Sequence, residues 1–302
     1  MILVQNLVII FVIIALGVIC EKRKVFNHSQ IEGFELFLFK VGIPCYLFTA
    51  VLKYDLSVFL YPDYIYSYLL SFLAMALVAA CYFHNNSVSQ ITMKILASGY
   101  VNAAIYSIPV ITFLFNDPSA AILGNLIQVI IIQTIFVTLL SLLNHHEKSV
   151  SKRIFASLSS PLVAMPIIAL LLNYFQLQPN ITSLTDITRN LGNGASGMAL
   201  FTFGLSLGSV KISKYVLKKE LIFIIFTKNI LHPIAAFLVG CYVFHLDRYW
   251  FYSLIITASA PTAFVVYLIA KQFSIEQEKI KMIVALSSII SLITLTFITL
   301  NI

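Results

Sequence analysis

The sequence predicts an all-α integral membrane protein: ten transmembrane helices laid out as a 5+5 inverted-topology repeat, with helices 4 and 9 broken and crossing. Three observations lead there. The 302 residues are 60% hydrophobic and only 10% charged, whereas a soluble domain carries roughly a quarter charged residues. The apolar residues fall into ten runs, most near the ~20 residues that a bilayer crossing needs. Basic residues crowd into alternate connections between those runs.

The runs lie at about 2–20, 34–52, 64–82, 91–115, 120–143, 156–174, 190–208, 221–243, 249–270 and 280–300. The first could pass for a signal peptide, but Lys22, Arg23 and Lys24 follow it and no basic residue precedes it. That charge order is the reverse of a signal peptide; it suits a retained first helix with its N-terminus outside. The second run holds Lys40 and, four residues on, Pro44. The fourth holds Ser98, Asn102 and Pro109 among small residues, and the ninth holds Ser259, Pro261 and Thr262. The seventh carries Gly192, Gly194, Gly197 and Gly204, as suits close helix packing. In the eighth, Lys228 and His232 share a face and Pro233 follows. Tyr249, Trp250 and Tyr252 open the ninth, the ring chemistry of an outer interface. The connections are too short to fold alone.

Orientation follows from charge. Alternate connections carry Lys22, Arg23, Lys24, Lys94, Lys148, Lys152, Arg153, Lys211, Lys214, Lys218, Lys219, Lys271, Lys279 and Lys281, which is 14 of the 19 basic residues. The opposite connections hold Lys53, Arg189 and Arg248. Positive-inside then places both termini outside the cytoplasm of a plasma (inner) membrane. The net charge of +7 is thereby explained as anchoring to anionic lipid, without nucleic acid. Cys20, Cys45, Cys81 and Cys241 show no paired spacing, so neither a metal site nor a disulfide framework is expected.

Internal similarity supports a duplication. Ile13-Ile14-Ala15-Leu16 recurs as Ile167-Ile168-Ala169-Leu170, and Leu47-Phe48-Thr49 recurs as Leu200-Phe201-Thr202, at nearly one offset. Residues 1–150 then form a first five-helix repeat and 151–302 a second. Five is odd, so the second repeat enters from the opposite side, the layout of many secondary transporters. The fourth helix of each repeat carries a proline among small and hydroxyl residues, the composition of a discontinuous helix. Proline removes a donor and clashes with the preceding turn; in lipid, the freed backbone groups must be satisfied by protein or a wet cavity. Half-helix N-termini at that level attract anions. No Asp or Glu is central in any run, and an intramembrane lysine is a functional candidate by default. Resident positive charge and helix dipoles therefore favour an anionic substrate, while unwound carbonyls could instead hold a cation. The site is expected at Asn102, Pro109, Ser98, Ser259, Pro261 and Thr262, with Lys228 as counter-charge.

These residues resemble the auxin efflux carrier family. The likeness rests on Asn102…Pro109, on Ala260-Pro261-Thr262-Ala263 followed by Ala270-Lys271-Gln272-Phe273, and on Val41-Gly42-Ile43-Pro44-Cys45-Tyr46-Leu47-Phe48. Ser160-Pro161-Leu162 and Ala199-Leu200-Phe201-Thr202-Phe203-Gly204-Leu205-Ser206-Leu207 complete the order. The resemblance implies ten helices in two inverted repeats, a crossover of helices 4 and 9, a scaffold of helices 1, 2, 6 and 7, and carriage of organic anions such as small carboxylates. The short connection between helices 5 and 6 is similar to the compact bacterial type. The second repeat departs from the pattern, with Thr262-Ala263-Phe264 and no Asn nearby. No cofactor is expected beyond a coupling ion, H+ or Na+, and a homodimer stays open. A sodium-coupled carrier of bile-acid-symporter type and a non-transporting membrane receptor or sensor are the alternatives. No Gly-x-Ser-x-Gly or paired-acid motif lies in the runs, so an enzyme is not expected.

Overall fold

The computed structural model describes residues 2–143, 159–177, 182–209 and 219–301. These are helical, and the extended pairing among them is a single antiparallel bridge, Val101 to Thr262. In chain order the helices are α1 (Ile2–Lys22), α2 (His28–Val51), α3 (Pro62–Tyr82), α4 (Val88–Gly99), α5 (Ala103–Phe115), α6 (Ser119–Leu143) and α7 (Pro161–Tyr174). There follow α8 (Thr182–Gly192), α9 (Ala195–Gly208), α10 (Lys219–Val243), α11 (Arg248–Ser259), α12 (Phe264–Gln272) and α13 (Gln277–Leu300). The protein is an all-helical, multi-pass membrane protein.

Six of the described segments are long and apolar enough to cross a membrane alone: α1, α2, Leu56–Tyr82 around α3, α6, α10 and α13. The other expected runs are built from shorter helices. Run 91–115 becomes α4 and α5, and run 249–270 becomes α11 and α12. Run 190–208 covers the end of α8 and all of α9, with a turn at Gly194 in the left-handed region (φ +80°). Run 156–174 contributes α7, and its first three residues lie outside the described ones.

The surface is apolar where lipid would stand. On α1, Val4, Val8, Val12 and Leu16 recur every four residues and are exposed, whereas Leu7, Ile10 and Ile14 are buried. Ile289, Ile293, Phe297 and Leu300 make a similar exposed stripe on α13. In water such stripes would be costly; against acyl chains they are the preferred face.

Three helices share one device for accommodating proline. Each contains a π turn that ends two residues before a proline: Leu38–Gly42 before Pro44, Ala103–Ser107 before Pro109, and Thr227–Leu231 before Pro233. The intervening residue (Ile43, Ile108 or His232) donates its amide five residues back, to Leu38, Ala103 or Thr227. A prolyl ring clashes with the carbonyl four residues before it, and the wider turn relieves that clash without breaking the helix.

Packing sorts the helices into two groups. α1 runs along α9, and α2 packs on α7 and α8. The rest gather around α4, α11 and α12, and α5 bridges the two groups, packing on α1 and α9 on one side and on α6 and α11 on the other. The α1–α9 contact is backbone to backbone. A Cβ on Gly17 would fall 2.2 Å from the Phe201 carbonyl oxygen, and one on Gly204 would fall 2.1 Å from that of Ile14. Gly192 likewise meets the Tyr46 backbone, but Gly194 and Gly197 face open space. Gly204→Leu is expected to destabilise the protein by at least the ~1–3 kcal/mol typical of overpacking, read as a lower melting temperature in detergent. An unchanged temperature would mean that α1 and α9 stand further apart.

Candidate functional site

α4 stops at Gly99 and α11 stops at Ser259, each inside a run long enough to have continued. Residues 100–102 and 260–263 then run extended past each other. The Asn102 amide donates to the Pro261 carbonyl at 2.8 Å, and the Ala263 amide donates to the Tyr100 carbonyl at 3.2 Å. These bonds flank the Val101–Thr262 pair. Its two residues are therefore a non-hydrogen-bonded antiparallel pair, whose Cα atoms lie about 4.5 Å apart. The chain resumes helix at Ala103 and Phe264. Two helix C-termini and two helix N-termini thus meet at one place.

Unpaired backbone at this depth would cost several kcal/mol per group, and neighbours satisfy it. Gln128 of α6 clamps Val101: its Oε1 accepts the Val101 amide at 2.7 Å and its Nε2 donates to the Val101 carbonyl at 2.8 Å. The Tyr68 hydroxyl donates to the same Oε1 at 3.1 Å. On the other strand, the Thr262 amide donates to Ser287 Oγ of α13 at 3.1 Å. The Thr262 hydroxyl donates to the Ala97 carbonyl in the last turn of α4, at 2.7 Å. The Lys228 ammonium donates to the Ala258 carbonyl in the last turn of α11, at 2.7 Å. Asn229 Nδ2 donates to the Ser287 carbonyl at 3.1 Å, which joins α10 to the same network.

The expected site residues divide accordingly. Asn102, Pro261 and Thr262 stand at the crossing itself. Tyr100, Val101, Ala260, Pro261, Thr262 and Ala263 are buried, whereas Asn102 is partly exposed. Among the described residues the Asn102 side chain makes no hydrogen bond. Ser98 is buried in the last turn of α4 with its hydroxyl unpaired. Ser259 turns its hydroxyl back to the Ile256 carbonyl at 2.8 Å. Pro109 lies about 10 Å along α5 from Asn102 by helical rise; it follows the π turn and stands apart from the crossing. Lys228 is fully buried, but Lys40 is exposed on α2. Tyr249, expected at an outer interface, donates its hydroxyl to the Asp117 carbonyl at 2.8 Å. Trp250 packs on Tyr61 and Tyr64, at 4.9 and 5.0 Å between ring centroids.

Gln128, Tyr68, Asn229 and Ser287 were not singled out from sequence. A signal existed for the amides: Asn125, Gln128 and Gln133 are polar residues within the 119–143 segment, and Asn229 neighbours Lys228.

Two further features frame the crossing. Lys94, buried, pairs with Glu220 and also with Glu276 at 3.5 Å, and Lys279 pairs with both glutamates. This cluster ties the middle of α4 to the starts of α10 and α13. A cavity of about 410 Å³ opens between α2, α5 and α8, lined by Tyr46, Thr49, Lys53, Thr112, Asn116, Arg189 and Asn193.

Helices interrupted in mid-run and stapled edge to edge, within an all-helical membrane protein, are the architecture of a membrane transporter. A family model described as membrane transport protein matches residues 2–299. The chain belongs to that family, the auxin efflux carrier family its motifs resemble. It is 25% identical over 289 residues to the "Uncharacterized transporter YfdV" of Escherichia coli strain K12, covering 90% of this chain and 88% of that one. It is also 27% identical over 106 residues to the "Putative malonate transporter" of Rhizobium meliloti strain 1021, covering 35% of this chain and 32% of that one.

Proposed function

We propose that this membrane transporter is a secondary carrier of small organic anions, carboxylates in particular, working by alternating access. The observation that carries the reading is the crossing. There Asn102 is the one residue of the two extended strands that is open, and it stands at the N-terminus of α5. Helix N-termini present unpaired amides and partial positive charge, and the Asn102 side-chain amide adds a donor beside them. The second repeat adds the N-terminus of α12. Thr262 turns its amide and hydroxyl inward, so that repeat offers a solute its backbone in place of a second asparagine. Lys228 supplies positive charge through the end of α11.

The finer architecture belongs to the same proposal. Val101 pairs with Thr262, and Gln128 on α6 serves one strand as Ser287 on α13 serves the other. These matched pairs support two five-helix halves, residues 1–150 and 151–302, related by an in-plane two-fold axis. We place both termini outside the cytoplasm of the plasma membrane, on the charge pattern. The group containing α1, α2, α7, α8 and α9 would be the scaffold against which the crossing helices move. The partial likeness to a putative malonate transporter favours a short carboxylate as substrate.

Flux in proteoliposomes tests this. Labelled malonate, malate and related short carboxylates should enter protein-containing vesicles faster than empty ones, with saturation. Binding without flux would support a receptor instead. The cavity beside Lys53 and Arg189 offers an anion an approach from the opposite side to Lys94. Arg189 already pairs with Asp186 at 3.2 Å, so Lys53 is expected to matter more. Lys53→Gln should raise KM about two- to fivefold, the size of a ~0.5–1 kcal/mol surface-charge contribution. The effect should fade with added salt; a KM unmoved at low salt would remove the cavity from the path.

A further inference from the structure

The fold holds two buried lysines and treats them differently. Lys94 is matched by carboxylates, Glu220 and Glu276. Lys228 is fully buried, and among the described residues no carboxylate reaches it. Its ammonium instead donates to the Ala258 carbonyl at 2.7 Å and contacts His232 Nδ1 at 3.3 Å. The elements packed against this part of α10 are α3, α4, α11 and α13. Of their charged residues, Asp63, Arg248, Glu278, Lys279 and Lys281 lie in the end segments of those helices, and Lys94, in the middle of α4, is paired with Glu220 and Glu276. Two cations at 3.3 Å would repel strongly, so the Lys228–His232 pair holds at most one positive charge, and Lys228 is the member of the pair that meets a carbonyl oxygen.

That charge has a defined task. The last carbonyls of a helix have no intrahelical partner and carry partial negative charge. At the surface water meets them; inside a bilayer a cation can. α4 and α11 both end at the crossing, but their caps differ. Ala97 of α4 receives a neutral hydroxyl, from Thr262, and Ala258 of α11 receives an ammonium. In the residues that flank Lys228 in the chain, Asn229 Oδ1 and Thr227 Oγ1 are buried oxygens without a partner among the described residues. Carbonyl, amide and hydroxyl oxygens are the ligand set of a hard cation.

We propose that Lys228 is the resident cation of the crossing: its ammonium holds the carbonyl end of α11 that a mobile sodium ion would otherwise occupy, so the carrier moves its anion without sodium. This rests on the carrier reading above and decides between it and a sodium-coupled alternative. Lys228 is accordingly a positioning residue that shapes the site through α11.

The test compares full-length wild type, Lys228→Arg and Lys228→Ser in sodium chloride and in choline chloride of equal ionic strength, by melting temperature and by carboxylate flux. Wild type and Lys228→Arg should be indifferent to the exchange in both readouts. Lys228→Ser, which leaves room and an oxygen, should lose flux at least tenfold in choline and melt several degrees lower, and sodium should restore part of that stability. A sodium requirement in wild type overturns the proposal. So does Lys228→Ser behaving as wild type in choline, or losing stability equally in both salts. Should Lys228→Ser fail to fold, a sodium response in wild type or Lys228→Arg overturns the proposal and its absence in both upholds it. Failure of the carrier reading would appear separately, as no carboxylate flux in wild type, with the salt response of stability still measurable.

Discussion

Asn102→Ala is expected to abolish most carboxylate flux and leave folding and membrane insertion intact. Both halves of that expectation follow from geometry. The Asn102 backbone amide holds the crossing together through the Pro261 carbonyl, at 2.8 Å, and alanine keeps that bond. The side chain is partly exposed, and among the described residues it bonds to nothing, so removing it strands no protein group. The loss falls on the solute. A hydrogen bond to a charged group contributes about 1.5–3 kcal/mol, or roughly ten- to a hundredfold in binding. Flux in proteoliposomes at low substrate should drop by that factor while the melting temperature stays at the wild-type value. Wild-type flux in the variant would remove Asn102 from the site.

The second large effect concerns stability as well as transport. Gln128→Leu deletes both partners of Val101, its amide and its carbonyl, at a position fully buried. It also removes the acceptor of the Tyr68 hydroxyl. Each stranded buried group costs about 1–3 kcal/mol, so the two Val101 groups alone should destabilise by about 2–6 kcal/mol. Leucine fills the space, which separates this loss from that of a cavity. Gln128→Glu keeps an acceptor for the amide and loses the donor, so it should fall between. The expected result is a melting temperature ordered wild type, Glu, Leu, with flux in the same order. Equal temperatures for all three would mean that Val101 finds its partners elsewhere.

The positions of the interruptions illustrate what could be read from residues alone. Proline among small and hydroxyl residues marked runs 91–115 and 249–270 as discontinuous, and both are. In the ninth run the break falls on Pro261, because a residue before proline is steered out of helical geometry; Ala260 is extended, with ψ 152°. In the fourth run it falls at residues 100–102, seven residues before Pro109 in chain count, because the π turn absorbs that proline. Nothing local distinguishes a proline that is absorbed from one that ends a helix. The two runs with intramembrane lysines make the same point. Lys40 and Lys228 each precede a proline by four or five residues and each sits in a π turn. One is exposed and the other buried, because α2 lies in the α7–α8 group and α10 packs among the crossing helices. Gln128 and Ser287 were hidden for a related reason. A single amide or hydroxyl in an apolar run acquires its meaning only from the strand it meets.

The central claim is that two interrupted helices meet side by side at Val101 and Thr262 inside the membrane. Disulfide trapping tests it most directly, because the Cα spacing of such a pair lies within the 4.4–6.8 Å that a disulfide spans. With Cys20, Cys45, Cys81 and Cys241 replaced, a Val101→Cys/Thr262→Cys variant carrying a protease site between residues 143 and 159 is oxidised in intact membranes and then cleaved. The two halves should stay joined until a reductant is added. Halves that separate under oxidant, at the level of either single-cysteine control, would contradict the crossing and the transport mechanism built on it.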